Sequence, residues 1–352
     1  MTDLEFEVRS GGHRLGGFEG GEVTQSLDAL AASFTFQWES RALQGGGRLD
    51  LQAAAPVEIF AAGTRLLTGY VTSDRAQYEA TKEGAAKEAL SLTGSSRLID
   101  LVDCSAASAT RRFRSVSLPD IAATLAEPYG VPVVVSGDFS QPFRRVTIDA
   151  GERIGDVLQR LARDRGAVLV DVEGTLVITR AGNESAGALR YGQSRIISGS
   201  RSRDHRQRFR EYAFPGQRRA TDTDSGVETH HLVIETDEGV SRFRRLAIIA
   251  ASDSRADVQK RAIVTRNTRA GRSERVNYTL GGWHDSTGEL WRPNRVVTVT
   301  DPVLGLETES LMIVTSSRYA RPQVRRTSRE RTRPEAFDAV RTFPVRAIGG
   351  RP

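Results

Sequence analysis

The sequence predicts an α+β chain that is mainly β, with two barrel-like β domains, a small α/β unit between them and a helical excursion in the second. Three observations carry that reading. Short apolar–polar alternations between glycine-rich turns recur towards both ends of the chain, as in LEFEV (4–8), FTFQW (34–38) and RVVTVTD (295–301); a two-residue period puts alternate side chains on one sheet face. Between these regions two stretches change to the period of an amphipathic helix. A further stretch, SRADVQKRAIVTRNTRAGR, interrupts the second strand-rich region with a helical pattern and a weaker apolar stripe.

The 352 residues suffice for about two to three domains. Residues 1–95 form the first barrel-like domain, continuing through LDLQA (49–53), VEIF (57–60), LLTGYVTS (66–73) and ALSLTG (89–94). ATKEGAAKEAL has a helix-like composition, but its central Gly84 and its shortness favour a charged hairpin loop. Residues 96–185 form the small α+β domain. There SLPDIAATLAEPYG lines up Leu118, Ile121, Ala122, Leu125 and Tyr129, with Ser117 as N-cap and Gly130 as stop. A second helix, ERIGDVLQRLARDRG, repeats the pattern with Ile154, Val157, Leu158 and Leu161 and stops at Gly166. AVLVDVEGTLVITR then reads as a hairpin turning at Glu173-Gly174. Residues 186–320 form the second barrel-like domain, through EYAFPG, HHLVIET, RLAIIAA, VNYTLGGW and SLMIVTSS, with the inserted helix at about 253–272. The segment 321–352 is dense in arginine and proline; part of it suits a last strand pair, and its final stretch has little apolar surface to offset ordering.

Composition narrows the function classes. With 38% apolar and 27% charged residues the chain is globular, and no apolar run is long enough for a membrane span. No basic-then-apolar leader opens it. Its one cysteine, Cys104, leaves no internal disulfide framework. Of 50 basic residues only Lys82, Lys87 and Lys260 are lysines, and 44 carboxylates bring the net charge to +6. So many arginines fit a solvated surface, or contacts to an acidic partner or nucleic acid.

GGWHDSTGELWRPN (281–294) gathers Trp283, His284, Asp285, Glu289 and Trp291. A catalytic histidine needs a carboxylate to orient it and a nucleophile in reach. Asp285 follows His284 directly, so on a strand the two point to opposite faces. Two strand-like runs flanking HDSTGE instead suggest a hairpin whose tryptophans pair across it or seal a barrel mouth. His230-His231 chelate poorly for the same geometric reason. There is no HExxH, CxxC, GxSxG or GxxxxGK[ST] pattern, and no GxGxxG between a strand and a helix. Cys104 in LIDLVDCSAAS has no evident partner to lower its pKa. No catalytic, cofactor-binding or metal-binding residues are therefore expected. RSRDHRQRFREYAFPGQ interleaves arginines with Phe209, Tyr212 and Phe214; this suits a single-strand nucleic-acid surface or a strand whose polar face makes ion pairs.

Several segments in this order carry a family resemblance: ASFTFQW, GYVTS, SLTGSSRLIDLVDCSA, RFREYAFPGQ, SRFRRLAIIAASD, KRA and GGWHDSTGELWRPN. Over roughly residues 4–320 the chain resembles the Mu-type phage tail protein P family, the baseplate hub of contractile tails, with T-even phage hubs and late-control D proteins as wider relatives. DLVDCSA and GWxxxxGxLWxPN are the most specific matches. The resemblance implies a structural part: a homotrimer whose two barrel-like domains per chain make a ring between a sixfold tail tube and a threefold spike, located in the virion tail baseplate. It implies a spike protein and a tube or tube-initiator protein as partners, DNA only in transit, no cofactor and no small-molecule substrate. Asp100, Asp103, Cys104, Phe209, Tyr212, Gly216, Gln217, Trp283, Trp291 and Asn294 fall on family landmarks without catalytic roles. Arg261, Arg266 and Arg269 on the inserted helix are candidate interface residues, and most arginines are expected at subunit or spike contacts. The alternatives are a cell-wall-degrading tail enzyme and a basic nucleic-acid-binding protein. The arginine density after residue 320 exceeds the family pattern.

Overall fold

The computed structural model describes residues 6–16, 18–38, 51–80, 86–106, 111–182, 184–217, 230–249, 255–321 and 337–344. The first strand-rich region contains β1 (Phe6–Ser10), β2 (His13–Leu15), β3 (Gly20–Ser26), β4 (Ser33–Trp38), β5 (Pro56–Ala61), β6 (Thr64–Ala80) and β7 (Ala86–Ser96). Alternation does what it predicts in β4: Phe34, Phe36 and Trp38 turn inward while Ser33, Thr35 and Gln37 do not. Phe6, Phe18, Phe36 and Trp38 meet edge-on or tilted, with Phe6–Phe36 centroids 5.3 Å apart and Phe18–Trp38 5.7 Å. Such aromatic pairs add to the burial of their own area. Of the stretch ATKEGAAKEAL, residues 81–85 lie outside the described residues; the ladder between β6 and β7 runs up to Ala80↔Ala86 on either side of them.

The middle region follows as α1 (Ile99–Asp103), β8 (Arg112–Val116), α2 (Leu118–Ala126), β9 (Val133–Val135), β10 (Phe143–Thr147), α3 (Ile154–Arg165), β11 (Val168–Val172) and β12 (Thr175–Thr179). The Ser117 hydroxyl accepts the N–H of Asp120 and caps α2, satisfying an otherwise orphaned donor. Leu118, Ile121, Ala122 and Leu125 are buried on α2, and Ile154, Val157, Leu158 and Leu161 on α3; Tyr129 packs on the same core, half-buried. Both helices cover the sheet β11-β12-β9. Glu173 (φ 57°) and Gly174 (φ 86°) are both left-handed between the paired Val172 and Thr175, the two-residue turn that matches strand twist.

The last region contains β13 (Glu184–Arg190), β14 (Ile196–Arg203), β15 (Glu211–Gln217), β16 (His230–Thr236), β17 (Arg245–Ala247), α4 (Arg255–Arg272), β18 (Glu274–Leu280), β19 (Arg295–Asp301), β20 (Leu306–Arg321) and β21 (Phe337–Pro344). Among the described residues, strands β15, β16 and β17 pair with one another and with no other strand, in the order β16-β15-β17. With α4 they enclose a small core of Tyr212, Phe214, Val233, Val258 and Ala262. The remaining strands enclose Leu189, Val276, Tyr278, Trp291, Val297, Val299, Met312 and Val314.

The chain is thus mainly β, as its alternating segments predict, but no sheet among the described residues closes on itself. The two strand-rich regions share one 13-stranded sheet, ordered β14-β18-β21-β20-β3-β4-β7-β6-β5-β1-β2, with β19 and β13 branching from β20. The cause is the length of β20. Its first half pairs with β19, and its last residues, Ser316 to Arg321, pair with β3. One strand serves both regions.

Two glycines separate backbone strain from collision. Gly12 (φ 79°) has open space where a Cβ would stand, whereas a Cβ on Gly174 would sit 2.7 Å from the Thr68 carbonyl oxygen of β6. Gly12→Ala is expected to cost about 1 kcal/mol of stability, and Gly174→Ala several times that, because backbone strain and a clash with backbone coincide. Urea unfolding of the two variants measures the difference.

Candidate functional site

The hairpin at 283–291 is built as a structural clamp. His284 and Leu290 form an antiparallel bridge, the Trp291 N–H donates to the Trp283 carbonyl at 3.1 Å, and the Asp285 N–H to the Glu289 carbonyl at 2.7 Å. His284 is exposed. Asp285 is buried, and its carboxylate is fully engaged in holding the turn. Its Oδ1 accepts the Thr287 hydroxyl (2.6 Å) and the N–H groups of Thr287 (2.8 Å) and Glu289 (3.2 Å). Its Oδ2 accepts Arg295 Nη1 at 2.5 Å. Among these carboxylate contacts none involves His284.

The tryptophans diverge. Trp283 enters the core of the first region, 4.6 Å from the Phe6 ring and 5.9 Å from Tyr319, and Leu290 goes with it. Trp291 enters the core of the last region. Tyr319, near the end of β20, is buried with Trp283 in the first core, and its hydroxyl donates to the Trp291 carbonyl. Burial holds that phenol well above its ordinary pKa, so it remains a neutral donor. The two β cores are joined here through packed side chains as well as through the sheet.

Asn294 and Glu173 bring in the middle unit. Asn294 is left-handed (φ 71°) and buried. Its side chain accepts the Gly182 N–H (3.0 Å) and donates to the Arg180 carbonyl (2.9 Å), while its own N–H reaches the Val314 carbonyl at 2.8 Å. It ties the exit of the middle unit to β20. Glu173, on its hairpin turn, accepts Arg65 of β6 at 3.1 Å and Arg292 of the clamp at 2.9 Å. Two residues earlier, Asp171 accepts the N–H groups of Ala32 and Gly174, each at 2.9 Å. Burial raises its carboxyl pKa, with the two N–H bonds opposing that shift.

The remaining residues singled out by the resemblance lie on α1, β15 and the loops beside them. On α1 the Asp100 carbonyl accepts the Cys104 N–H, and the Cys104 carbonyl accepts Ile154 N–H at the start of α3, each at 3.0 Å. Burial, then the neighbouring Asp103 charge, raises the Asp100 pKa. Cys104 is half-buried. The buried Tyr212 hydroxyl accepts the Phe209 N–H at 3.0 Å. Gly216 and Gln217 lie on β15 opposite His231 and His230.

The basic segment is largely paired within the chain. Arg208 forks onto Asp237 (2.6 and 2.9 Å). Burial alone would raise the Asp237 pKa, but Arg208 outweighs it and the carboxyl lies below its usual value. Arg201 and Arg203 both bind Glu274, and Arg244 donates to the carbonyls of His205, Arg206 and Arg208. The candidate interface residues are also engaged internally: Arg261 with Asp164 (3.5 Å), Arg266 with Glu235 (2.5 Å) and Arg269 with the Gln207 carbonyl (2.9 Å). Sequence reasoning missed Arg165, whose buried side chain pairs with Asp257 of α4 at 3.1 Å and lies 3.9 Å from the Phe143 ring centre. Its partners are too distant in sequence for any local signal. No group of three or more potential metal ligands occurs among the described residues.

Comparison with known proteins places this arrangement. Residues 99–180 match the second domain of gp44-like baseplate hub proteins, and residues 254–340 match the fourth domain of the Mu phage baseplate assembly protein GpP. The baseplate hub protein gp44 of Escherichia phage Mu is 28% identical over 319 residues, covering 87% of this chain and 81% of that protein. The 43 kDa tail protein of prophage MuSo2 from Shewanella oneidensis superposes with a TM-score of 0.78 at 25% identity, over 96% of this chain and 97% of that one. A tail protein from Neisseria meningitidis MC58 does so at 0.77 and 22% identity, over 96% and 95%. An E. coli type VI secretion component, c3393, shares the fold at a TM-score of 0.60 and 9% identity, over 98% and 79%.

If the cluster is a clamp, its two titratable residues differ sharply in worth. Asp285→Ala strands the Arg295 guanidinium, whose side chain is 12% exposed, and is expected to cost about 3–5 kcal/mol. His284→Ala is expected to stay within about 0.5 kcal/mol. Equal costs in denaturant unfolding would contradict the assignment.

Proposed function

We propose, from the premise that the chain is a Mu-like baseplate hub protein of a phage tail, that three copies close into a ring between a sixfold tail tube and a threefold spike. The observation that supports this most is the pair of β cores in one polypeptide, locked together by the tryptophan clamp and β20. Three rigid bodies, each presenting two barrel-like β units, offer six comparable surfaces on one side and three on the other. That is a simple way for symmetric subunits to meet a symmetry mismatch.

The same reading makes the protein an assembly part without catalysis, cofactor or metal. The residues that most resemble chemistry, Asp285 and Asp237, are engaged in a turn and in a forked ion pair. On this reading the partners are the spike and a tube or tube-initiator protein, DNA passes through only in transit, and assembly takes place in the host cytoplasm.

Light scattering on the full chain, alone and with a trimeric tail-spike protein, tests the reading. The expected mass is that of three chains alone, or of three chains plus the spike once it is added. A monomer, a dimer or a hexamer under both conditions would overturn it.

A further inference from the structure

We propose that the arginine face of the β8–β10 ribbon is a contact between copies of this chain, and that it receives the Glu307–Leu311 stretch of β20 from the next copy. The inference rests on the ring reading above and names a surface for it.

In this two-stranded ribbon Arg114 lies opposite Arg145, and Arg112 opposite Thr147. Val146 is buried and its partner Phe113 packs on the core. Arg112, Arg114 and Arg145 therefore share the outer face, where all three are exposed. Among the described residues none of the three has a carboxylate within ion-pair distance, although Arg165, Arg201, Arg208, Arg266, Arg292 and Arg295 all have one. Like charges set directly across a ladder oppose folding, so the cluster is destabilising until an anionic group arrives. Among the described residues the sheet has two strands. Among the described residues the far edge of β8 is unpaired and can accept another strand.

The complement lies elsewhere on the same chain. At the start of β20 Glu307 and Glu309 are both exposed, and Leu311, two residues on, is 52% exposed. Glu307 has no ion pair among the described residues, and Glu309 has only an exposed one to Arg190 at 3.0 Å, a kind of pair that is readily exchanged. Carboxylates two residues apart on a strand recur every 7 Å or so, the spacing of Arg112 and Arg114 on β8. Within this stretch Ser310 and Leu311 pair with β19, a register shift leaves Glu307 to Glu309 outside that pairing, and the pairing with β21 begins only at Met312. Among the described residues its other edge is free. Laid beside β8, it would set Glu307 and Glu309 against forked guanidinium donors. Because the two patches are different surfaces of one chain, the contact is head-to-tail, the kind that closes rings.

The experiment is light scattering on four full-length proteins: wild type, Arg112→Glu/Arg114→Glu, Glu307→Arg/Glu309→Arg, and the combination of all four changes. Each double variant is expected to weaken association at least about tenfold, and the combination to restore it. All positions are exposed; circular dichroism confirms folding, and Arg112→Gln/Arg114→Gln, which adds no repulsion, should give an intermediate loss. A trimeric wild type with both double variants still trimeric overturns this contact alone. A wild type that is monomeric at every soluble concentration, with or without the spike, overturns the contact and the ring together. A gel shift with short duplex DNA provides the third arm: loss of DNA binding by Arg112→Glu/Arg114→Glu with unchanged mass would assign the face to nucleic acid and overturn the proposal.

Discussion

The fold depends on one constraint, the clamp that places Trp283 in the first β core and Trp291 in the last. Truncating a buried tryptophan typically costs about 3–5 kcal/mol, a large part of the net stability of an ordinary domain. The two regions cannot separate at this point without drawing Trp283 out from beside Phe6. The Tyr319 hydroxyl on the Trp291 carbonyl and the β20–β3 ladder resist the same motion. Glu173 then holds the middle unit against both, through Arg65 and Arg292. Together these contacts tie three of the four cores to one another.

The arginine bias reads differently once the ion pairs are placed. Arg208, Arg266, Arg292 and Arg295 join segments distant in sequence, where a planar forked donor can serve a carboxylate and a carbonyl at once. Arg295 does so with Asp285 and the Ser185 carbonyl. Much of the basic character therefore belongs to internal joints. On the β8–β10 ribbon, by contrast, Arg114 lies directly opposite Arg145.

The helices were legible in the sequence because their periodicity and caps are local: Ser117 caps α2 as its position predicts, and α3 ends at Gly166 in the left-handed conformation. The Glu173-Gly174 turn was legible for the same reason. Partner choice was not. Alternation in β20 shows a strand but cannot show that its two halves join different regions. Nor does anything local in EYAFPG or HHLVIET show that these strands form their own sheet beneath α4. Within the clamp, the Asp285 carboxylate is taken up by Thr287, Glu289 and Arg295. The separate destinations of the two tryptophans, and an Asn294 whose side-chain contacts reach back to Gly182 and Arg180, depend on long-range packing that a one-dimensional pattern does not contain.

Hydrogen exchange on the full chain tests the central claim, that the clamp makes the two β regions one cooperative body. Amides of β4 in the first region and β19 in the last report the two cores separately. In Trp283→Ala the account predicts that protection falls in both strands together, although the lost side chain lies only in the first core. Protection that falls in β4 while β19 keeps its wild-type value would contradict it.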